Sequence, residues 1–468
     1  MMEDTRKKAQ KPEDCAGRKT LTAALQVVNA NAAGIDLGSR EHYVAVPPDR
    51  DERPVRHFGC LTPDLHEMAR WLNGCGVQTV AMEATGVYWV PVAQVLESEG
   101  LEVVLVDASD LKNVKGRKTD VQDCQWAQQL HTFGLLKGAF RPTKEIQVLR
   151  GYWRHRETLV AECAQQIHRM QKALEQMNLQ LHKVLSDISG VTGMQILRAI
   201  LAGERDGAVL ARMRNGRLKC SEETLAKALT GDYRQEHLFA LRQAVELYDV
   251  YQQKIAECDA EIQKVMAQFQ RPPARGTRNP KASKKKATSR RKNQCHFNLA
   301  EELFQIAGVD VTRIDGIDAL TAQTVFAEVG FDLSAFPTEH HFASWTRLCP
   351  NNRITGGKII SSRRRRGKNR VALAFRRGAQ SLHHSQSALG GFYRRMVAKM
   401  GPGKATTAVA HKLARLFYRM VRYGQDYVDQ GEKQYQQRYQ EHQMRLLKKR
   451  ARHMGYALVC AQTGVVVS

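Results

Sequence analysis

The stretch AAGIDLGSREHYVAV, residues 32–46, places apolar and aromatic residues on either side of a Gly38–Ser39 break. Strand-forming composition interrupted by a Gly/Ser turn reads as two short strands, here roughly 32–37 and 42–46. Asp36 stands at the end of the first. Further along, VRHFGC (55–60) reads as a third strand, and a helix follows from Thr62, with Thr62 as N-cap and Pro63 at the first helical position. VQTVAMEATG (77–86) is a buried-type strand that ends in Glu83.

A helix, the strand LEVVLVD (101–107) and a last helix over 121 to about 133 complete the set. Three strands, then helix, strand, helix, strand, helix is the order of a ribonuclease-H-like α/β domain. In that order Glu83 ends a strand lying beside the one that carries Asp36. GRKTDVQDCQW (116–126) adds Asp120 and Asp123 at the start of the last helix, where a three-residue step puts both on one face. Alone, Asp120 is better explained as a helix cap, since acids are favoured in the first turn. Together, four carboxylates in one cleft need cations to compensate them, and Mg²⁺ or Mn²⁺ suits oxygen ligands. Two such ions ~3.5–4 Å apart make a nuclease or strand-transfer centre. Lys112, Lys115, Arg117 and Lys118 precede the two aspartates and would hold a nucleic-acid strand, or form a solvated loop.

Composition points the same way. Lys plus Arg number 72 against 47 for Asp plus Glu, a net charge of +25 in 468 residues. An excess of that size implies a polyanionic partner, since cations that neutralise phosphates also release condensed counterions. No apolar run reaches the ~18 residues of a membrane span, and the opening segment lacks the apolar core of a secretory signal. The ten cysteines form no CxxC pair, which argues against a disulfide framework or zinc ribbon and for a reducing cytoplasm.

The remaining chain divides by pattern. Residues 1–30 read as a disordered arm and 31–150 as the α/β domain. Within 151–270, apolar residues at Val160, Cys163, Ile167, Met170, Leu174, Met177, Leu181 and Val184 make a heptad seam. A second series runs from Leu238 to Phe269; the two could pair as an antiparallel hairpin or with another protomer. Residues 271–295 form a basic linker, with ten Lys or Arg and no acid between Arg271 and Lys292. The mainly α-helical region 296–430 starts with a helix-hairpin-helix-like cadence around Gly316, in which turn amides can meet phosphate or the glycine serves packing. Ala408, Leu413, Leu416 and Met420 share a face of a later helix that also carries His411. Residues 431–468 are a basic, then apolar tail.

GIDLGSREHYVAV, MEATGVYWVPV, GRKTDVQDCQWAQQLHTFGLL and, later, WTRLCPNNRITGGK (345–358) together resemble the DEDD transposases of the insertion-sequence 110 family, which also includes Piv-type DNA invertases. The resemblance covers roughly 32–425, with the motifs in order. It implies a RuvC-like N-terminal domain whose Asp, Glu, Asp, Asp correspond to Asp36, Glu83, Asp120 and Asp123 as catalytic ligands of two Mg²⁺ or Mn²⁺ ions. It implies coiled-coil association into a homo-oligomer, a dimer or tetramer, and a C-terminal transposase domain with a nucleophilic serine that links covalently to DNA. Donor and target DNA are the implied substrates, a bridge non-coding RNA the implied guide, and the bacterial cytoplasm at the nucleoid the implied location.

One departure carries chemistry. Where similar proteins show serine before Gly-Gly-Lys, this chain has Thr355, followed by Gly356, Gly357 and Lys358. A threonine hydroxyl can attack phosphorus, although its β-branch crowds the approach. Three readings stay open: Thr355 is the nucleophile, Ser361 or Ser362 replaces it, or the element is inactive. Arg363, Arg364, Arg365 and Arg366 follow as a phosphate clamp. A metal-dependent junction nuclease and a catalytically dead nucleic-acid-binding relative are the alternatives to a strand-exchanging transposase.

Overall fold

The structure, a computed structural model, describes residues 26–84, 86–111, 119–216, 218–275, 293–364, 367, 369–424, 429, 431–459, 464 and 466. The chain forms two compact units, Met1–Arg141 and Pro142–Ser468.

The first unit is built on a five-stranded sheet in the order β3-β2-β1-β4-β5. Its strands are β1 (Ala32–Leu37), β2 (Glu41–Ala45), β3 (Val55–Gly59), β4 (Thr79–Glu83) and β5 (Glu102–Val106). β1, β2 and β3 pair antiparallel, whereas β1, β4 and β5 run parallel. Helices α1 (Thr62–Gly74), α2 (Trp89–Ser98), the short α3 (Ala108–Leu111) and α4 (Asp120–Thr132) complete it. The element order is the expected one.

Alternation along β1 sorts its residues to two faces. Ala33 and Ile35 join Val44, Phe58, Val80 and Met82 in a core with Leu65, Met68 and Leu72 of α1 and Val92 and Leu96 of α2. Gly34 and Asp36 point to the other face, against which α4 packs. Gly34 is required there by space: a Cβ would stand 2.3 Å from the Gln128 nitrogen and 2.5 Å from the Cys124 carbonyl oxygen. Gly34→Ala is therefore expected to push α4 off the sheet. The destabilisation should be ~1–3 kcal/mol or more, the range for overpacking, read as a lower thermal midpoint.

Two local expectations change. Thr62 is the first residue of α1 rather than its cap; the cap position is Leu61, whose N–H donates to Asp64 Oδ2 at 3.2 Å. Of the arm expected over 1–30, residues 1–25 lie outside the described residues. Residues 26–30 are attached: the N–H groups of Val28 and Asn29 both donate to the Thr132 carbonyl at 2.9 Å.

In the second unit, α5 (Lys144–Gln176) and α10 (Gln235–Ala267) pack as an antiparallel pair. Cys258 Sγ meets the Tyr152 carbonyl at one end and Gln252 meets Cys163 further along. The heptad seam expected as far as Val184 breaks after Gln176. Asn178 takes a left-handed φ of 56°, and Leu181 and Val184 sit on the separate α6 (Leu181–Val184). With α7 (Val191–Ala202), α8 (Gly207–Ala211) and α9 (Glu222–Ala228), these residues enclose a second core around Met170, Leu174, Leu197 and Leu241.

Helices α11 (Leu299–Ala307), α12 (Ala319–Val329), α13 (Glu339–Trp345), α14 (Arg370–Ser381), α15 (Ala388–Met400), α16 (Pro402–Tyr423) and α17 (Gly431–His453) follow, with a two-stranded sheet of β6 (Arg353–Thr355) and β7 (Lys358–Ser361). α12 is tied to α5 by Trp153 Nε1 donating to Thr324 Oγ1 at 3.0 Å and by a two-pronged Arg154–Glu328 pair. Phe326, Phe342, Phe375, Phe417 and Tyr418 are fully buried among α12, α13, α14 and α16. On α16 the buried face runs through Val409, Leu413, Phe417 and Met420; Ala408 and Leu416, expected on it, flank it half-buried. The Gly316 turn presses onto α14: a Cβ there would stand 2.7 Å from the Gly378 carbonyl oxygen. Close backbone packing thus accounts for that glycine. Among the described residues no helix is long and apolar enough to cross a membrane.

Candidate active site

The register of the sheet lines up side chains across it. Asp36 is the partner of Tyr43 on β2, and Tyr43 is the partner of His57 on β3. On the other side Ile35 pairs with Met82, which sets Asp36 beside Glu83 at the end of β4. Partners at one level share a face, so His57, Tyr43, Asp36 and Glu83 form a row on the face against which α4 packs, α4 itself lying over β1, β2 and β4.

α4 supplies the other two acids. Thr119 caps it, its Oγ1 accepting from the Gln122 N–H at 3.3 Å. Capping therefore gives no account of Asp120 or Asp123, which are exposed in the first turn. The far end is fixed by His131, whose Nε2 lies 3.0 Å from Thr79 Oγ1 on β4. A helix pinned at that end and seated on Gly34 has its first turn directed at Asp36.

Electrostatics reports the grouping. Burial, followed by the charges of Asp120, Asp123 and Glu83, pushes Asp36 from 3.8 up to about 6. Burial and the Asp36 charge push the neighbouring Cys124 thiol up to about 12, which leaves it inert. Tyr43 is also pushed up, by Glu41 first and by Asp120 and Cys124 among the rest. The other three acids stand close enough to Asp36 for their charges to act on it. Their donor chemistry fits a hard divalent cation, although among the described residues no three acidic, His or Cys side chains stand at metal-ligating spacing.

Lys112, Lys115, Arg117 and Lys118 lie outside the described residues, as do Arg365, Arg366 and 276–292 of the basic linker. The linker's described start is anchored: Arg275 N–H donates to the Gly308 carbonyl at 2.7 Å.

Thr355 belongs to the second unit. It ends β6 and pairs with Lys358 across a two-residue turn in which Gly356 and Gly357 have φ of 54° and 75°. Positive φ at both central residues is the type I′ hairpin turn, so the paired glycines have a conformational reason independent of phosphate. Thr355, Gly356, Gly357, Lys358, Ser362 and Arg363 are exposed, and Ser361 is half-buried. Arg364 lines a groove of about 1230 Å³ with Arg347, Arg370, Arg376 and Arg377. His411 is half-buried, and burial, with Arg415 and His340, lowers its proton affinity.

The register sets Asp36 beside Glu83, the first turn of α4 carries Asp120 and Asp123, and Thr355 and Lys358 lie on an exposed hairpin of the second unit with Arg363 just past it. Tyr43 and His57 escaped the reading by sequence. Their one signal was the strand alternation that repeats Glu41 and Tyr43 on a single face.

A family model for DEDD transposases of the IS110 type matches residues 33–179, and one described as "Transposase IS116/IS110/IS902 family" matches residues 309–394. Comparison with curated proteins gives no match. The first match spans all four acids and the second spans the Thr355 hairpin, both in chain order. The protein belongs to the IS110 family of transposases, enzymes that act on DNA.

Proposed function

We propose that this transposase cuts and exchanges DNA strands with a carboxylate metal site in its first unit and a nucleophilic hydroxyl, Thr355, in its second. The observation that carries the reading is the sheet register that sets Asp36 beside Glu83 on the face against which α4, with Asp120 and Asp123 in its first turn, packs; burial and these three carboxylates raise the proton affinity of Asp36. A cluster that holds a proton to about 6 favours any cation placed among its oxygens. Asp36, Glu83, Asp120 and Asp123 would hold the metal, Mg²⁺ or Mn²⁺. Two such ions activate an attacking oxygen and stabilise the leaving oxygen of a phosphodiester when bound.

On this reading the bond from Thr355 Oγ1 to phosphorus forms as the bond from phosphorus to a deoxyribose oxygen breaks. The hydroxyl proton goes to solvent, and the departing oxygen takes one up. Gly356 and Gly357 keep the hairpin tip free of side chains, and Lys358, Arg363 and Arg364 offer charge to phosphates.

The test is covalent capture. DNA incubated with the protein in Mg²⁺ and then denatured should yield a protein–DNA band that vanishes in Thr355→Val and strengthens in Thr355→Ser, which lacks the crowding methyl group. A band that persists in Thr355→Val and is lost in Ser361→Ala or Ser362→Ala moves the role to that serine. The I′ turn gives Gly-Gly a structural cause and so favours a second reading, hydrolysis by water as in a junction nuclease. Metal-dependent cutting with no band at any stage would establish it. Binding without cutting marks a catalytically dead relative.

Guidance by a bridge RNA and association of protomers belong to the same proposal. Their support is the family resemblance and the net charge of +25. A structured non-coding RNA encoded beside the gene should bind the chain more tightly than an unrelated RNA of equal length; equal binding would remove the guide from the proposal.

A further inference from the structure

The row of side chains that leads into the carboxylate cluster begins with two aromatic rings. Tyr43 stands opposite Asp36, and His57 stands opposite Tyr43 on the edge strand β3. Their ring centroids are 5.9 Å apart with planes tilted by 35°. The Tyr43 hydroxyl donates to Glu41 Oε1 at 3.3 Å, two residues back on the same face.

Packing explains the pair only in part. The core of this unit lies on the opposite face, where Val44 and Phe58, the chain neighbours of these two residues, are buried. Tyr43 is half-buried and His57 exposed. α4 packs against β2 on the face of Tyr43, which leaves the exposed His57 unaccounted for, and a cross-strand aromatic pair by itself adds only ~0.2–1 kcal/mol. A partly exposed ring beside a site for phosphate, continued by an exposed one, is, however, what an unpaired nucleobase requires: every base has a π-face, and stacking on an aromatic side chain tolerates any sequence. Opposed residues on paired strands have Cβ atoms about 4.5–5.5 Å apart, so a base flanking a phosphate held at Asp36 reaches Tyr43. In a duplex the same base face is covered by its neighbour and offers nothing to the ring.

We propose that Tyr43, extended by His57, is a stacking platform for an unpaired base of the strand whose phosphate enters the carboxylate site. The assignment rests on the reading of Asp36, Glu83, Asp120 and Asp123 as the phosphodiester site. It makes Tyr43 a positioning residue that selects locally opened DNA over intact duplex. The ring carries the effect and the hydroxyl does not.

The experiment uses the full chain and single-stranded DNA carrying 5-iodouracil, which crosslinks on long-wavelength irradiation to aromatic side chains stacked on it. Peptide mapping is expected to place a crosslink at Tyr43 or His57, and the matching duplex should give far less. Single-strand affinity should fall about 5- to 150-fold in Tyr43→Leu, stay near wild type in Tyr43→Phe, and duplex affinity should hold in both. Thermal midpoints of the two variants control for folding. Crosslinks confined to other residues, or a Phe variant as weak as the Leu variant, overturn the platform. Mg²⁺-dependent cutting is measured alongside. Cutting with no crosslink at positions 43 and 57 overturns the platform alone, and a crosslink at Tyr43 without metal-dependent cutting supports the platform and removes the metal reading.

Discussion

Asparagine at position 36 is expected to give a protein that resists heat better than wild type in metal-free neutral buffer and no longer cuts DNA. Both effects have one source. The unfolded aspartate ionises near 3.8, whereas the folded chain keeps the Asp36 proton to about 6, because burial and then Asp120, Asp123 and Glu83 disfavour its charge. Between those values the folded state binds more protons than the unfolded state, so stability falls as pH rises through the interval and stays low above it. Asp36→Asn removes the charge and should flatten that part of the curve. Mg²⁺ should restore wild type by binding the folded state and should leave the variant unchanged. Cutting should drop by more than about a hundredfold, since even groups that merely support metal ligands can cost that much. Thermal midpoints across this pH range, with chelator and with Mg²⁺, decide it. A wild-type midpoint indifferent to both pH and Mg²⁺ would count against the carboxylate cluster as a cation site.

The second large effect lies far from that chemistry in the sequence. Arg156 on α5 and Asp259 on α10 are 3% and 1% exposed and form a pair, Arg156 Nε donating to Asp259 Oδ1 at 2.5 Å. Arg156 also donates to the Asn293 carbonyl at 3.1 Å, and Asp259 accepts from the His296 backbone N–H at 3.0 Å. Burial pushes the Asp259 carboxyl up, but Arg156 and His296 outweigh it and hold it below its ordinary value. Stability from this depressed carboxylate is present above 3.8 and is lost as pH falls below that value. Asp259→Ala strands a buried guanidinium and should cost ~3–5 kcal/mol. Replacing both partners with apolar residues of similar volume should recover much of the loss, because the pair's own net contribution is small once its desolvation is counted. Denaturant melts of the single and double variants measure the difference. A double variant as unstable as Asp259→Ala would show that the pair itself, rather than the stranded charge, holds the two helices.

The sequence by itself determined the order of strands and helices in the first unit and the four acids at their ends. Those signals are local: strand alternation, the Gly38–Ser39 turn, and an acid pair three residues apart after a helix start. It also marked α5 and α10 as long amphipathic helices. Cross-strand register was decided only by the tertiary structure, and with it the placement of Tyr43 and His57 level with Asp36. So were the need for glycine at position 34 beneath α4, the break in the heptad seam after Gln176, and the burial of Arg156 against Asp259. Each of these depends on how closely segments distant in the chain approach one another, a distance that no local periodicity encodes. The Gly356–Gly357 pair shows the same division at small scale. Its composition is compatible with a phosphate loop or a turn, and the pairing of Thr355 with Lys358 makes it a turn.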